Sequence, residues 1–429
     1  MKNTILILFL FCFGYQATAQ IAKAKSGTFL LKNATLYTVT DGVQVGDLLI
    51  KDGKIAAIGK NLSEAGAIEL DCTGKRVYPG LIDSGTKLGL GEISAVSLTN
   101  DYDEIGEFTP QMQALTAVNP NSVSIPVTRV NGVTTVIAKP EGGLFPGTAA
   151  LINLLGYTPD QMYAGFKGVV MNYPSSGRRG RWDRRSDEDR KKEEEKKLKK
   201  INDTWDNAVL YNKIASAAKG DEKPDYQPSM EAMRGVVDGS MTLMVEVNKD
   251  KDILSALRWV KEKDIKKVVL TGVAEGWRVA DSLARAGIPV ITGPILSVPR
   301  RASDSYDTAY KNAGIMQQAG VKVAIRTNET ENVRNLPFNA GFAAAYGMGV
   351  EEALKAVTIA PAEIFGVADK LGSLTKGKVA NVVVCDGDIF ETKTQISHLF
   401  IDGYQVPMDS RHIQLYEEFL DRTHQSGRR

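Results

Sequence analysis

The sequence predicts an α/β protein: a (β/α)8 TIM-type barrel joined to a small β-sandwich domain built from both chain ends. Three observations carry this reading. Short strands with tight turns fill residues 27–76, and the same texture returns over 369–410. Between them, continuous apolar runs alternate with amphipathic helical stretches, the pattern of parallel strands covered by helices on both faces. The 429 residues, 43% of them hydrophobic, suffice for one large domain and a smaller companion. A doubly wound sheet is the competing architecture, since only seven barrel strands are clear, at 78–83, 134–138, 165–172, 242–247, 267–271, 289–293 and 322–327.

Taken in order, residues 1–20, "MKNTILILFLFCFGYQATAQ", combine a basic start at Lys2, an apolar run and a closing Ala17-Thr18-Ala19. That order predicts a signal peptide cut after Ala19 or Gln20, hence an exported chain, periplasmic or secreted. The apolar run is too short for a transmembrane anchor, which needs roughly 20 residues. Cleavage removes Cys12 and leaves Cys72 and Cys385. The pair is open to oxidation after export; the alternative is two separate small apolar side chains. Over 27–76, "LLIKDGKIAAIG" carries an Asp-Gly hairpin signal at Asp52-Gly53. The barrel is expected over 77–368, interrupted at 178–200 by "RRGRWDRRSDEDRKKEEEKKLKK". Its charges recur at i,i+4, as in Asp187/Lys191, Glu188/Lys192 and Glu193/Lys197, which predicts a solvated helix in an exposed insertion. A basic docking surface is the alternative there. Residues 411–429 read as a terminal helix and tail. The formal net charge of +2 argues against binding nucleic acid through global charge.

The functional question lies in "VYPGLIDSGTKLGL", residues 77–90. Together with "LLIKDGKIAAIG" before it and "GVEEALKAVTIAPAEIFGVADKLGSLTKGKVANVVVCDGD" near the other end, it resembles the amidohydrolase superfamily, most closely its imidazolonepropionase/prolidase-like members. The resemblance runs over most of the chain. It implies metal-assisted hydrolysis of amide or cyclic amide C–N bonds, with one or two divalent ions such as zinc at the C-terminal mouth of the barrel. It also implies the ligands: His-x-His after the first strand, a histidine after each of two middle strands, and an aspartate after the last. In this chain those positions fall at Gly85, Lys87, Glu246, Gly272 and Asn328. The three histidines, His398, His412 and His424, all lie beyond the barrel.

The replacements change the chemistry. A zinc-type site lowers the pKa of bound water from about 15.7 to near 7, so its loss raises the cost of hydroxide by up to ~12 kcal/mol. A positioned base recovers only about 3–5 kcal/mol, and a neutral amide such as Asn328 cannot be that base. No bound cofactor is therefore expected. A buried ammonium requires a counter-ion. The sequence thus suggests a Lys87–Glu246 contact, neighboured by Arg326 and Asn328, plugging the vacated pocket; an open polar mouth lined by Lys87 is the alternative. Glu92, Asp101, Asp103, Glu104 and Glu107 form an acidic loop after the first strand, but without the regular spacing of an oxygen-ligand site. The segment "KPEGGLFPGTAA" lacks the lysine of a phosphate loop and reads as a turn.

Three functions remain open. The first is a catalytically silent binding or scaffold protein, beside an active paralogue. The second is a divergent hydrolase of C–N bonds with altered machinery, using Lys87, Glu246 or the acidic loop. The third is a binder of a small molecule or peptide at the barrel mouth, with Arg300, Arg301, Arg326 and Arg334 as anion contacts. Fold alone does not choose among them.

Overall fold

The structure is a computed structural model describing residues 23–93, 95–177, 183–218 and 224–426. The expected signal peptide lies outside the described residues.

The first strands are β1 (Phe29–Tyr37), β2 (Val43–Lys51), β3 (Lys54–Gly59), β4 (Ile68–Asp71) and β5 (Arg76–Pro79). The barrel strands follow: β6 (Leu81–Thr86), β7 (Val133–Ala138), β8 (Gly147–Asn153), β9 (Tyr163–Asn172), β10 (Thr242–Val247), β11 (Val268–Gly272), β12 (Val290–Thr292) and β13 (Val323–Ile325). The chain then returns to the first sheet with β14 (Val382–Cys385), β15 (Ile396–Ile401) and β16 (Tyr404–Val406).

The small domain has the strand order β16-β15-β14-β5-β1-β2-β3, with β4 beside β1. The two chain ends join where β14 runs antiparallel to β5, Val382 facing Pro79 and Val384 facing Val77. Phe29, Leu31, Leu36, Leu48, Ile50, Val382 and Phe400 form its core, separate from that of the barrel. Cys72 and Cys385 are buried free thiols. Burial pushes Cys72 up to about 11 and Cys385 up to about 12, so neither is a ready nucleophile at neutral pH.

The barrel strands lie in sequential order from β6 to β13. Seven run parallel to one another, whereas β8 pairs antiparallel with both β7 and β9. β8 is the strand the sequence hides. Its stretch "GTAALIN" begins with glycine and small residues of weak β-propensity, and the preceding turn looks like a loop. The period-2 alternation of strands sorts the side chains. Ile82, Ile137, Leu151, Val170, Met244, Val269, Ile291 and Ala324 cluster in one core, while neighbours such as Leu81, Val136, Ile152, Val169, Val245 and Leu270 pack in another with the helices.

The two ends of the sheet meet at β6 and β13. The Asn328 N–H donates to Gly85 O at 2.9 Å and the Lys87 N–H to Glu329 O at 2.8 Å. Asp83 pins this seam: it accepts the Thr327 N–H at 3.1 Å, the Thr327 hydroxyl at 2.6 Å and the Gly85 N–H at 3.1 Å. Burial pushes the Asp83 carboxyl up to about 7 against the pull of these donors. Its folded pKa lies above its unfolded value. Its contribution to stability is therefore fullest below the ordinary carboxyl range and is lost as pH rises through about 7. Asp83→Asn, which leaves one acceptor oxygen for three donors, is expected to cost about 1–3 kcal/mol. It is also expected to remove that slope from the denaturation free energy between roughly pH 4 and pH 7.

Of the charged stretch 178–200, residues 178–182 lie outside the described residues, and the rest opens a helix that continues beyond it. A single 31-residue helix, Asp187–Ala217, starts at Ser186, whose hydroxyl accepts the Asp189 N–H at 3.0 Å. Lys192–Glu188 and Lys197–Glu193 pair at 2.8 Å, whereas Asp187 pairs with Arg190 instead of Lys191. Further along, Ile201, Trp205, Ala208 and Tyr211 are buried, and Trp205 meets Trp259 edge-on at 5.7 Å. Solvation explains the first half of the helix; packing on the barrel explains the second.

Candidate functional site

At the C-terminal ends of the barrel strands a buried ion pair dominates. Glu246 comes from the end of β10 and Arg326 directly follows β13. The guanidinium grips the carboxylate with both arms, Nη1 to Oε2 and Nη2 to Oε1, each at 2.7 Å. This is the bidentate arrangement that makes arginine–carboxylate pairs strong. Thr271 donates its hydroxyl to Oε2 at 2.7 Å, and Asn248 donates its amide to Oε1 at 3.3 Å. Lys139, directly after β7, sits 3.5 Å from Oε2. The Arg326 and Lys139 side chains are each 3% exposed and Glu246 18%.

The electrostatics follow from this crowding. Burial raises the Glu246 carboxyl, but Arg326 and Lys139 outweigh it and hold the group well below its usual range. Arg326 is lowered by burial yet raised overall by Glu246. Lys139 is lowered, because burial exceeds the support of Glu246.

Gly85 and Gly272 make this pair possible. A β-carbon on Gly85 would lie 3.0 Å from Arg326 Cδ. Gly272 adopts φ +85°, and a β-carbon there would lie 2.6 Å from both Glu246 Oε1 and Asn248 Oδ1. The space that the two glycines leave open thus holds a guanidinium and its carboxylate.

Lys87 does not contact Glu246 as the sequence suggested. It pairs with Glu141 at 3.4 Å and lies over the Tyr102 ring, 5.3 Å from the centroid. Glu141 in turn lies 3.8 Å from Lys139. Charges therefore alternate from Arg326 through Glu246, Lys139 and Glu141 to Lys87, and the plug forms with Arg326 and Lys139 as its cations. Arginine reaches across the barrel with two donors on one acceptor, where lysine offers a single point charge. Removing Lys87 leaves Glu141, 30% exposed, beside Lys139 at 3.8 Å, so Lys87→Met is expected to cost only about 1 kcal/mol in urea denaturation.

Glu92 is not brought to this site. It accepts from Asn119 at 3.0 Å and lines a separate groove with His412. Asn328 does arrive. It is held at φ +56°, and its Oδ1 is buried without a partner. It shares with Glu246 and Arg326 a cavity of about 430 Å³, walled also by Trp277, Asn312 and Arg300. Trp277 Nε1 is likewise buried and unpartnered. Lys139 and Thr271 escaped the sequence reading. The available signal for Lys139 was a charged residue directly following a wholly buried strand, Val133–Ala138, at the functional end of a barrel.

A divalent ion does not fit this residue set. Among the described residues, no three histidine, cysteine, aspartate or glutamate side chains converge as a metal-holding group. The one carboxylate at the centre has both oxygens engaged, and two cations occupy the neighbourhood where an ion would need ligands.

Comparison with known proteins agrees with the fold. Residues 76–406 match the amidohydrolase family. The chain is 25% identical over 409 residues to the imidazolonepropionase of Mesorhizobium japonicum, covering 85% of this chain and 93% of that protein. It is 54% identical to the D-hydantoinase of Geobacillus stearothermophilus over 63 residues only, 15% of this chain and 13% of that protein. A dihydroorotase from Ligilactobacillus salivarius is matched over 57 residues at 49% identity, again over 13% of its length. Among solved structures, an amidohydrolase from Thermotoga maritima superposes with a TM-score of 0.78 at 25% identity, covering 88% of this chain and 99% of that one. A prolidase complexed with N-methylphosphonate-L-proline shares the fold, with a TM-score of 0.56 at 15% identity over 89% of this chain and 99% of that one. The match over residues 76–406, well over half of the sequence, makes this chain a member of the amidohydrolase family.

Proposed function

We propose that this chain is an exported, catalytically silent amidohydrolase that binds a small polar molecule or peptide, or serves as a scaffold beside an active relative. The observation carrying the reading is the Arg326–Glu246 pair, with Lys139 behind it, built into the space that Gly85 and Gly272 leave open. Water beside a guanidinium is not deprotonated near neutral pH, because arginine is no base and Glu246 is held far below the range of a general base. The cavity that remains keeps an unpartnered acceptor in Asn328 and an unpartnered donor in Trp277, which supports binding without turnover.

The other reading, a hydrolase of C–N bonds with rebuilt machinery, needs a free base in the same cavity. Its carboxylates are committed: Glu246 to Arg326, Glu275 to Arg301 at 2.8 Å, and Asp304 to Arg278. The deciding experiment assays the mature protein on hydantoins, dihydroorotate, imidazolonepropionate and Xaa-Pro dipeptides, with and without added zinc or manganese. Ligand-induced thermal stabilisation of the same samples is recorded in parallel. No turnover with a raised melting temperature for one ligand class is expected; binding at 100 times Kd stabilises by about 2.7 kcal/mol. Turnover surviving chelation would favour the rebuilt hydrolase. Export is checked by sequencing the N-terminus of the mature chain, expected to begin after Ala19 or Gln20.

A further inference from the structure

The barrel has two unlike poles. At its N-terminal end, around the first residues of β9, β10 and β11, lies an open groove of about 1370 Å³. Arg258, Lys261, Lys267 and Arg285 line it, all exposed. None of the four has a salt-bridge partner among the described residues. Lys167 also lines the groove, directed to Gln113 at 2.8 Å, and Lys266 is neutralised by Asp264. Between the cations the groove presents apolar side chains, Leu254, Leu257, Ile265 and Ile288, with Tyr163 at its edge. The surface combines a positive field with a place to bury apolar groups.

The opposite pole carries the complement. The loop after β6 lies at the mouth, where Asp101 N–H bonds to Leu90 O at 2.7 Å and Tyr102 O accepts the Glu141 N–H at 2.7 Å. Asp101, Asp103 and Glu104 are exposed and have no salt-bridge partner among the described residues. Leu98 and Ile105 of the same loop are 92% and 101% exposed. Leu98 and Ile105 stand free of packing within the chain beside these carboxylates, so the loop offers apolar side chains together with negative charge.

We propose that the acidic loop of one copy docks in the basic groove of a second copy, joining the chains head to tail. The unpaired carboxylates face the unpaired cations, and Leu98 and Ile105 enter among Leu257, Ile265 and Ile288. Because the two surfaces differ and sit at opposite ends of one barrel, the contact is heterologous. It repeats into rings or open chains rather than stopping at a symmetric dimer. Contacts resting on exposed charges weaken with salt.

Sedimentation velocity on the full mature chain tests this. Wild type is expected to form species whose size grows with concentration at low salt and collapses to monomer at high salt. A groove variant, R258Q/K261Q/K267Q, and a loop variant, D101N/D103N/E104Q, are each expected to lose association by at least about tenfold in apparent Kd. Unchanged circular dichroism and melting would show that both remain folded. The polarity is tested by mixing the two variants. One intact loop meets one intact groove, so a 1:1 dimer forms and growth stops there. A wild type that stays monomeric at low salt and high concentration would overturn the proposal. So would variants that associate as wild type does, or a mixture that forms nothing.

Discussion

Glu246→Leu is expected to destabilise the barrel by about 3–5 kcal/mol, the typical cost of stranding a buried charge whose partner has been removed. Arg326, 3% exposed, loses its counter-ion in this substitution, and Lys139, also 3% exposed, is left with Glu141 alone at 3.8 Å. The double variant Glu246→Leu/Arg326→Met is expected to regain much of the loss, since replacing a buried pair by apolar groups is often near neutral. The cycle separates an interaction energy from a packing defect. The pH dependence follows from the depressed carboxyl. Glu246 has a folded pKa below its unfolded value, so its contribution is complete above the ordinary carboxylate range, about 4.3 for glutamate, and fades as pH falls through the folded value. Wild type minus Glu246→Leu, followed by urea denaturation, is expected to converge in strongly acidic solution.

The second large effect lies at Gly272. Gly272→Ala is expected to cost about 2–4 kcal/mol, because two penalties act together. The backbone is left-handed, at φ +85°, which a β-carbon disfavours, and that carbon would stand 2.6 Å from Glu246 Oε1 and Asn248 Oδ1. Gly272→His, the change that would restore a family ligand, is expected to cost at least as much and to bring no stoichiometric zinc with it. Gly85→His meets Arg326 in the same manner, with its β-carbon 3.0 Å from Cδ. A side chain at either glycine thus competes with the Arg326–Glu246 pair for the same space, and a single imidazole placed there displaces that pair without supplying the further ligands a metal would need. Equilibrium denaturation and zinc titration of the two histidine variants check both halves of the statement.

Much of this architecture is legible in the sequence, and the places where it is not have physical reasons. Seven barrel strands announce themselves through continuous apolar runs, because strands covered on both faces bury every side chain. β8 does not, since Gly147, Ala149 and Ala150 carry little β-signal and the strand runs against its neighbours. The loss of imidazole from the mouth follows directly from where His398, His412 and His424 fall. Which cation then neutralises Glu246 does not follow, because the answer depends on reach across the barrel. Arg326 and Glu246 are 80 positions apart and meet only when β13 and β10 curve toward one axis. Lys87 is nearer in motif but turns outward to Glu141 and Tyr102. Nor does the sequence disclose that the missing side chains of Gly85 and Gly272 leave room for Arg326 and Glu246, because that depends on which groups face them across the barrel.

We propose that a fixed guanidinium–carboxylate pair stands where the family resemblance implies a divalent ion. The most direct measurement equilibrates the purified mature protein with excess zinc, manganese or iron, removes unbound metal by gel filtration, and determines the metal remaining per chain. The account predicts far less than one ion per chain, with melting temperature unaffected by chelator. Stoichiometric, tightly held metal in the barrel mouth, together with hydrolysis that chelation abolishes and metal restores, would contradict it.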